Sequence, residues 1–436
     1  MSDKKIINAL NEYAEKFTKE KSFAVPDFVK FMEEKFKAAG YRTPPKIGEK
    51  LNVLIIHDAG IGDFVLQSGA IREIRRLYPV ANITLIVNSG SLILAENCPY
   101  VDEVISLIEV KKDFVGMYQS CAEMAKKILR CRYDICYAFI HRAWTPFFLY
   151  MTGAKIRIAP PVKEIDEVCF LSKNNALLKA LEILATDFVS MFEYKGEHMV
   201  DGFLSMIDSA LKAPVANREL EVWYTALDLT AAQNFLENYS RPLYAVAMGG
   251  IEFMKHYPPE KYAKLAEKIL IDEPTATFVL IGAGNDDLKS AQIFKQTLGE
   301  KFSNKNVLDL TGKINFRQVA AVMSLCEMYM GNDTGAMHVA SAVKCPILTP
   351  NCFAENLPHR RFDSIRYFSP YHVPSVVAQP KYSLDGCKVT EPYDSMGCRV
   401  NKPHCITQIE PETLYHGYHL LKVRVADKIN TPLYIN

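Results

Sequence analysis

The chain has 436 residues, 49% hydrophobic and 23% charged, so it can bury a large core but is too long for one compact unit. At roughly 150 residues per domain, two or three domains are expected. Lysine and arginine number 51 against 50 acidic residues, a formal net charge of +1 that excludes a globally basic, nucleic-acid-binding surface.

Residues 1–40 carry two helical patterns, Ile6, Ile7, Leu10, Tyr13, Ala14 and Phe17, then Phe28, Val29, Met32 and Phe36 after Pro26. They read as a helical cap on the first domain or as an oligomer or membrane-surface contact. Met1-Ser-Asp-Lys-Lys lacks the apolar core of a secretory signal. The longest apolar runs, Val53–Ile56, Ile135–Ile140 and Phe278–Ile281, fall far short of the ~20 residues of a spanning helix. Most of the eleven cysteines stand alone in apolar segments, among them Cys98, Cys136, Cys169 and Cys326, as reduced thiols of a cytoplasmic protein do.

From Leu51 short β-branched runs alternate with amphipathic helices. Strands are expected at Asn52–Ile56, Asn82–Val87, Tyr133–Ile140 and Lys155–Ile158, with a helix over Phe64–Tyr78. Residues 163–240 read as mostly helical, with Asn217–Tyr224 extended. The alternation then restarts: strands Leu243–Met248, Thr277–Ile281, Val307–Leu310, Met328–Met330 and Ile347–Thr349, separated by helices Pro259–Ile269, Asp286–Leu298, Phe316–Leu325 and Ala336–Ala342. Strands that are continuous apolar runs between helices imply parallel sheets covered on both faces. The expected fold is therefore α/β, two Rossmann-like units in series with a linker near 235–242 and a ligand cleft between them.

Three strand-to-helix turns carry chemistry. His57-Asp-Ala-Gly-Ile-Gly-Asp63 offers Gly60 and Gly62, which let the backbone approach a ligand, and Asp63, either cleft-facing or a helix cap. The strand ending at Gly249-Gly250 leads into a loop that delivers Lys255, which is solvated or sets a point charge on a leaving phosphate. Gly331-Asn-Asp-Thr-Gly-Ala-Met-His338 combines turn-fixing side chains at Asn332, Asp333 and Thr334 with outward N–H groups from Thr334 through Gly335 and Ala336 to Met337, a diphosphate site at a helix N-terminus. His338 either adds a donor to the same phosphates or packs in the core. Near the C-terminus Cys387, Cys398 and Cys405 lie close together beside His404. They lack the short Cys-x-x-Cys knuckle of a strong metal motif, so zinc or iron, a disulfide and free thiols all stay open, and no metal is assigned.

The three turns in this order resemble the glycosyltransferase family that contains the ADP-heptose:lipopolysaccharide heptosyltransferases. Gly331-Asn-Asp-Thr-Gly-Ala-Met-His338 is the most specific element. Gly62-Asp63, Asn97-Cys-Pro-Tyr-Val-Asp102 before a strand, Gly153-Ala-Lys-Ile-Arg157, Lys255-His-Tyr-Pro258 and Asp309-Leu-Thr-Gly-Lys313 support it. The resemblance covers roughly residues 51–425 and implies a GT-B architecture: an acceptor-side domain over 51–238, a nucleotide-sugar domain over 239–408, and a C-terminal segment, 409–436, whose helix Pro411–Ala426 returns to the first domain; the helical extension over 1–50 precedes the region the resemblance covers.

It further implies inverting transfer of a heptose or related sugar from an ADP-sugar to a lipopolysaccharide-core acceptor, without cofactor or obligatory Mg²⁺. Asp63 becomes the general base and Lys255 the stabiliser of the departing diphosphate. The donor set is Gly249, Gly250, Asp286 at the ribose, Asn332, Asp333, Thr334, Gly335, Ala336 and His338, and Gly60 and Gly62 form an acceptor-side loop. Such an enzyme would be cytoplasmic, with transient contact with the inner membrane at a glycolipid acceptor. The sequence departs from the family at His57, where arginine is usual, and at Met248-Gly249, where Pro-Gly is usual. Both read as cleft-side changes that, with the N-terminal extension, leave a protein or other glycan as alternative acceptor. A non-catalytic nucleotide-sugar-binding protein is the remaining alternative.

Overall fold

The structure is a computed structural model that describes residues 50–111, 114–128, 133–139, 144–154, 156–159, 187–188, 198–211, 213–355, 366–384 and 402–436, with Glu12 and Glu15. The helical patterns expected over residues 1–40 otherwise lie outside the described residues. Two compact units form, one drawn from Met1–Gly60, Gly69–Gly196 and Val200–Arg218, the other from Ile61–Ser68, Glu197–Met199 and Glu219–Asn436.

The first unit contains β1 (Asn52–His57), most of α1 (Ile61–Leu77), β2 (Asn82–Val87), α2 (Ser89–Ala95), β3 (Glu103–Ser106), α3 (Phe114–Ile128), β4 (Ile135–Ala138), α4 (Thr145–Met151), β5 (Ile156–Ala159), β6 (Asp187–Phe188) and most of α5 (Met199–Leu211). Its six strands lie in the order β3-β2-β1-β4-β5-β6, all neighbours parallel. Central β1 pairs Val53 with Ile83 on one side and Ile135 on the other, and Val53 through His57 are buried. That two-sided burial is why the strand reads as a run of apolar residues rather than an alternation. α1 opens with Asp63 in its first turn and closes with Arg75 and Arg76 in its last, the charge order that complements the helix dipole.

The second unit continues with α6 (Ala226–Leu236), β7 (Leu243–Ala247), α7 (Pro259–Asp272), β8 (Thr277–Ile281), α8 (Asn285–Leu298), α9 (Glu300–Asn306), β9 (Val307–Asp309), α10 (Phe316–Met323), β10 (Met328–Gly331), α11 (Gly335–Ala342), β11 (Ile347–Pro350), β12 (Ser375–Ala378), α12 (Pro411–Ala426) and β13 (Pro432–Ile435). Its seven-stranded sheet has the order β13-β12-β11-β10-β7-β8-β9, again parallel throughout. The order reverses between β7 and β10, and the crevice beyond the carboxyl ends of those strands is the topological switch point where such sheets bind ligands.

The strands and helices expected from Leu243 to Thr349 all occur, and the architecture is GT-B, two Rossmann-like α/β units. Asn217–Tyr224, expected to be extended, belongs to no strand. The linker expected near 235–242 lies inside the second unit, since α6 is already joined to α10 by a 3.2 Å ion pair between Asp228 and Arg317. α12 buries Leu414, Gly417, Tyr418 and Leu421 against the second sheet. A Cβ at Gly417 would come within 2.9 Å of a Leu348 methyl and 3.0 Å of an Ile435 methyl, so a larger residue there would need these side chains to shift. The helix is the crossover between β12 and the edge strand β13, a connection parallel strands require.

Candidate functional site

β7 and β10 are hydrogen-bonded neighbours, Ala247 opposite Gly331, so the two glycine-bearing loops that follow them emerge side by side at the switch point. Asn332 ties them together. Its Oδ1 accepts from the Tyr257 amide at 3.2 Å and the Tyr262 hydroxyl at 3.1 Å, while Nδ2 donates to the carbonyls of Met248 at 2.5 Å and Gly249 at 3.2 Å. With every polar side-chain atom engaged and the residue fully buried, Asn332 builds the loops and leaves no group for the donor it was expected to contact.

Beside it stands a compact charge cluster. Lys255 closes a single 3₁₀ turn, Phe253–Lys255, with Nζ 2.8 Å from Glu252 Oε2 and 3.6 Å from Asp333 Oδ2. Burial would lower the ammonium's pKa, but the carboxylates of Asp333 and Glu252 outweigh it and raise the pKa above the usual lysine value. Asp333 is itself buried, and burial raises its carboxyl above the ordinary range against the pull of Lys255. Its Oδ2 accepts from Asn351 Nδ2 at 3.0 Å, while the buried Oδ1 has no hydrogen-bond partner among the described residues. With both carboxylates ionised the trio carries a formal charge of −1, so this side-chain cluster is not by itself a positive patch.

The groups suited to an anion at this turn are largely backbone. Thr334 caps α11 in extended conformation without a side-chain bond to the helix amides, and no acceptor among the described residues takes the N–H groups of Gly335 and Ala336. They project at the positive end of the helix dipole. A Cβ at Gly335 would lie 3.1 Å from the Gly62 nitrogen, and one at Gly62 would lie 2.8 Å from the His338 ring. The first turn of α1, which carries half-buried Asp63, therefore sits against the first turn of α11. The cap of α1 is Gly60, so Asp63 is not the N-cap. His338 is buried, its Nδ1 has no hydrogen-bond partner among the described residues, and burial pushes its pKa down to about 3. It is neutral at physiological pH and adds no cation to the site.

The glycine pair and Asp287 define the other wall. Gly250 has φ +148°, a left-handed conformation that favours glycine, and a Cβ there would meet the Thr334 methyl at 2.7 Å. A Cβ at Gly249 would fall 1.8 Å from Asp287 Oδ1. Asp287 is the third residue of α8, and its Oδ2 accepts from the amides of Ala283 at 3.1 Å and Gly284 at 2.9 Å. Asp286, the expected ribose ligand, is instead exposed and paired with Lys289 at 3.4 Å.

In the first unit, the end of β1 is arranged differently from expectation. His57 is fully buried, with Nε2 3.0 Å from the Ala59 carbonyl and 3.4 Å from Ser91 Oγ. It is the last residue of a strand buried on both faces, and its side chain packs inside the unit. Asp58, next in sequence, is half-buried and accepts from Trp144 Nε1 at 3.0 Å.

Of the cysteine cluster, Cys387 and Cys398 lie outside the described residues. Cys405 is buried, accepts from the Leu384 amide at 3.3 Å and lies 3.5 Å from His404 Nδ1. No group of three or more metal-ligating side chains occurs among the described residues. Sequence reasoning missed Glu252, Asn351 and the capping role of Asp287. The i, i+3 spacing of Glu252 and Lys255 was legible, but Asn351 reaches Asp333 only because β11 adjoins β10.

Residues 122–350, a little over half of the chain, match the family described as Glycosyltransferase family 9 (heptosyltransferase). The chain is 26% identical to Lipooligosaccharide heptosyltransferase 2 of Haemophilus ducreyi over 308 residues, covering 68% of this chain and 81% of that one. Among solved structures it resembles a glycosyl transferase family 9 protein from Veillonella parvula, with a TM-score of 0.66 at 18% identity over 86% of this chain and 98% of that one. The Escherichia coli ADP-heptose lps heptosyltransferase II is similar with a TM-score of 0.60, also at 18% identity, over 86% and 100%.

Proposed function

Because the chain belongs to glycosyltransferase family 9, the heptosyltransferase family, and is thus a glycosyltransferase, we propose that it moves a heptose or related sugar from an ADP-sugar to a lipopolysaccharide-core acceptor. In this reading Asp63 takes the proton of the acceptor hydroxyl as it attacks the anomeric carbon from the face opposite the diphosphate, and the configuration inverts. A general base of this kind contributes about 10²- to 10⁴-fold. As the glycosidic bond breaks, negative charge grows on the diphosphate. The Gly335 and Ala336 amides and Lys255 meet it as preorganised donors, in the place a metal ion would otherwise fill. Gly249 and Gly250 let the donor approach the backbone, and Gly60 and Gly62 do the same for the acceptor.

The observation that carries this reading is the apposition of Gly62 with Gly335 and His338. It sets the candidate base one residue from the contact with the candidate diphosphate site. The names of the relatives support heptose and a lipooligosaccharide or lipopolysaccharide acceptor. No described helix is long and apolar enough to cross a membrane. In this reading a lipid-linked acceptor is met by transient contact with the inner membrane.

The test is a donor screen followed by an acceptor screen. ADP and ADP-heptose should raise Tm where UDP and GDP do not, since a ligand at about 100 times its Kd stabilises the fold by about 2.7 kcal/mol. Labelled sugar should then appear in extracted glycolipid and not in protein, in the presence of EDTA. Label in protein would select the alternative acceptor, and nucleotide binding without transfer to either would leave a binding protein.

A further inference from the structure

Lys255 is held by two carboxylates that differ in freedom to move. Asp333 is buried, and its Oδ2 is already engaged by Asn351. Glu252 has a side chain 32% exposed and makes the shorter contact, 2.8 Å against 3.6 Å. A diphosphate reaching Lys255 thus meets one anion fixed in the protein and one that can swing into water. Leaving both in place would bring the donor's negative charges against a cluster of formal charge −1, at a site where burial strengthens every charge interaction.

We infer that Glu252 is a positioning residue that acts through Lys255: it occupies the ammonium while the site is empty and is displaced by the diphosphate of donor or product. This deepens the proposed reaction and rests on Lys255 being the diphosphate contact. Displacement follows from the chemistry of the cluster. A partly buried lysine without a counter-charge is costly, so an internal carboxylate keeps it ordered and desolvated between turnovers. The same carboxylate competes with every diphosphate. Affinity for the donor is lowered, and so is affinity for the nucleoside diphosphate product, which favours release.

The experiment measures binding of ADP and, separately, of inorganic pyrophosphate to the full chain by calorimetry at low salt, for wild type, Glu252→Gln, Glu252→Ala, Lys255→Met and the Glu252→Gln/Lys255→Met pair. Removing the internal competitor should tighten both ligands roughly fivefold, the worth of a partly exposed ion pair. Lys255→Met should weaken both, and Glu252→Gln should have no further effect in that background. In a transfer assay the inhibition constant of ADP should fall by the same factor. A merely structural Glu252 would weaken binding when removed.

Weakened or unchanged affinity in both Glu252 variants overturns the inference, as does equal tightening with and without Lys255. If Glu252→Gln tightens pyrophosphate but the protein does not bind ADP, the adenine reading fails and the role of Glu252 stands. If wild type binds neither ligand, both fail.

Discussion

At the end of β1 the groups available for chemistry are side chains: Asp58 on Trp144 and Asp63 in the first turn of α1. At the ends of β7 and β10 they are chiefly backbone, the amides of Gly335 and Ala336, with a lysine held between two carboxylates. Both lie where the strand order of their own sheet reverses, between β1 and β4 in one and β7 and β10 in the other. The same architecture therefore offers a carboxylate suited to accepting a proton in one place and fixed dipoles suited to an anion in the other. A backbone donor set needs glycines and a rigid frame more than it needs charged residues, which is why Asn332 and the buried tyrosines around it matter as much as Lys255.

The sharpest way to break the comparison is Asp63→Asn. If the first region works by taking a proton, kcat should fall by about 10²- to 10⁴-fold while ADP affinity changes little, because the amide keeps the shape and loses the basicity. Single-turnover transfer together with ADP calorimetry separates the two quantities. An equal loss in ADP affinity would assign Asp63 to the anion-binding region and erase the division of labour.

The contrast between the two strand ends was only partly legible in the sequence. Each of the three turns was marked by glycines next to polar residues, and the alternation of apolar runs and amphipathic helices gave both sheets. What spacing could not show is which polar atoms are already taken. Asn332 reads as a turn residue, yet its partners Met248 and Gly249 lie 84 and 83 residues away, brought near only by the pairing of β7 with β10. His57 reads as a cleft residue because it follows a strand, but strand ends buried on both faces carry no alternation to say which way a side chain points. β12 and β13 were missed for a different reason. Neither falls in the strand–helix alternation that marked the others: no described helix lies between β11 and β12, and half-buried β13 follows a helix assigned elsewhere.

Acid titration of stability separates the regions again, with a smaller effect. Burial pushes His338 down to about 3 from 6.5, so below pH 6.5 the unfolded chain takes up a proton that the folded one refuses. The contribution is fully present above pH 6.5 and is lost as pH falls toward the folded value. Between pH 7.5 and pH 5 that loss is about 2 kcal/mol. Urea unfolding at the two pH values should show the wild type losing this much more than His338→Asn. Equal losses would mean that His338 is protonated in the fold and does belong to the cationic side of the anion site.

The smallest effect concerns the neighbours Asp286 and Asp287, which test whether a carboxylate at a helix start serves the frame or the ligand. Asp287 accepts two backbone amides ahead of α8 and packs against Gly249, so Asp287→Ala should destabilise the fold by about 1 kcal/mol, the usual worth of a cap. Exposed Asp286, paired only with Lys289, should change stability by less than about 0.5 kcal/mol when replaced by alanine. If it nonetheless turns toward a bound ribose, Asp286→Ala should weaken ADP about fivefold, as expected for one solvent-facing hydrogen bond to a charged group, and leave pyrophosphate affinity unchanged. Loss of pyrophosphate affinity as well would place its effect on the charge of the whole anion site. No loss in either would confine ligand recognition in this unit to the backbone amides and Lys255.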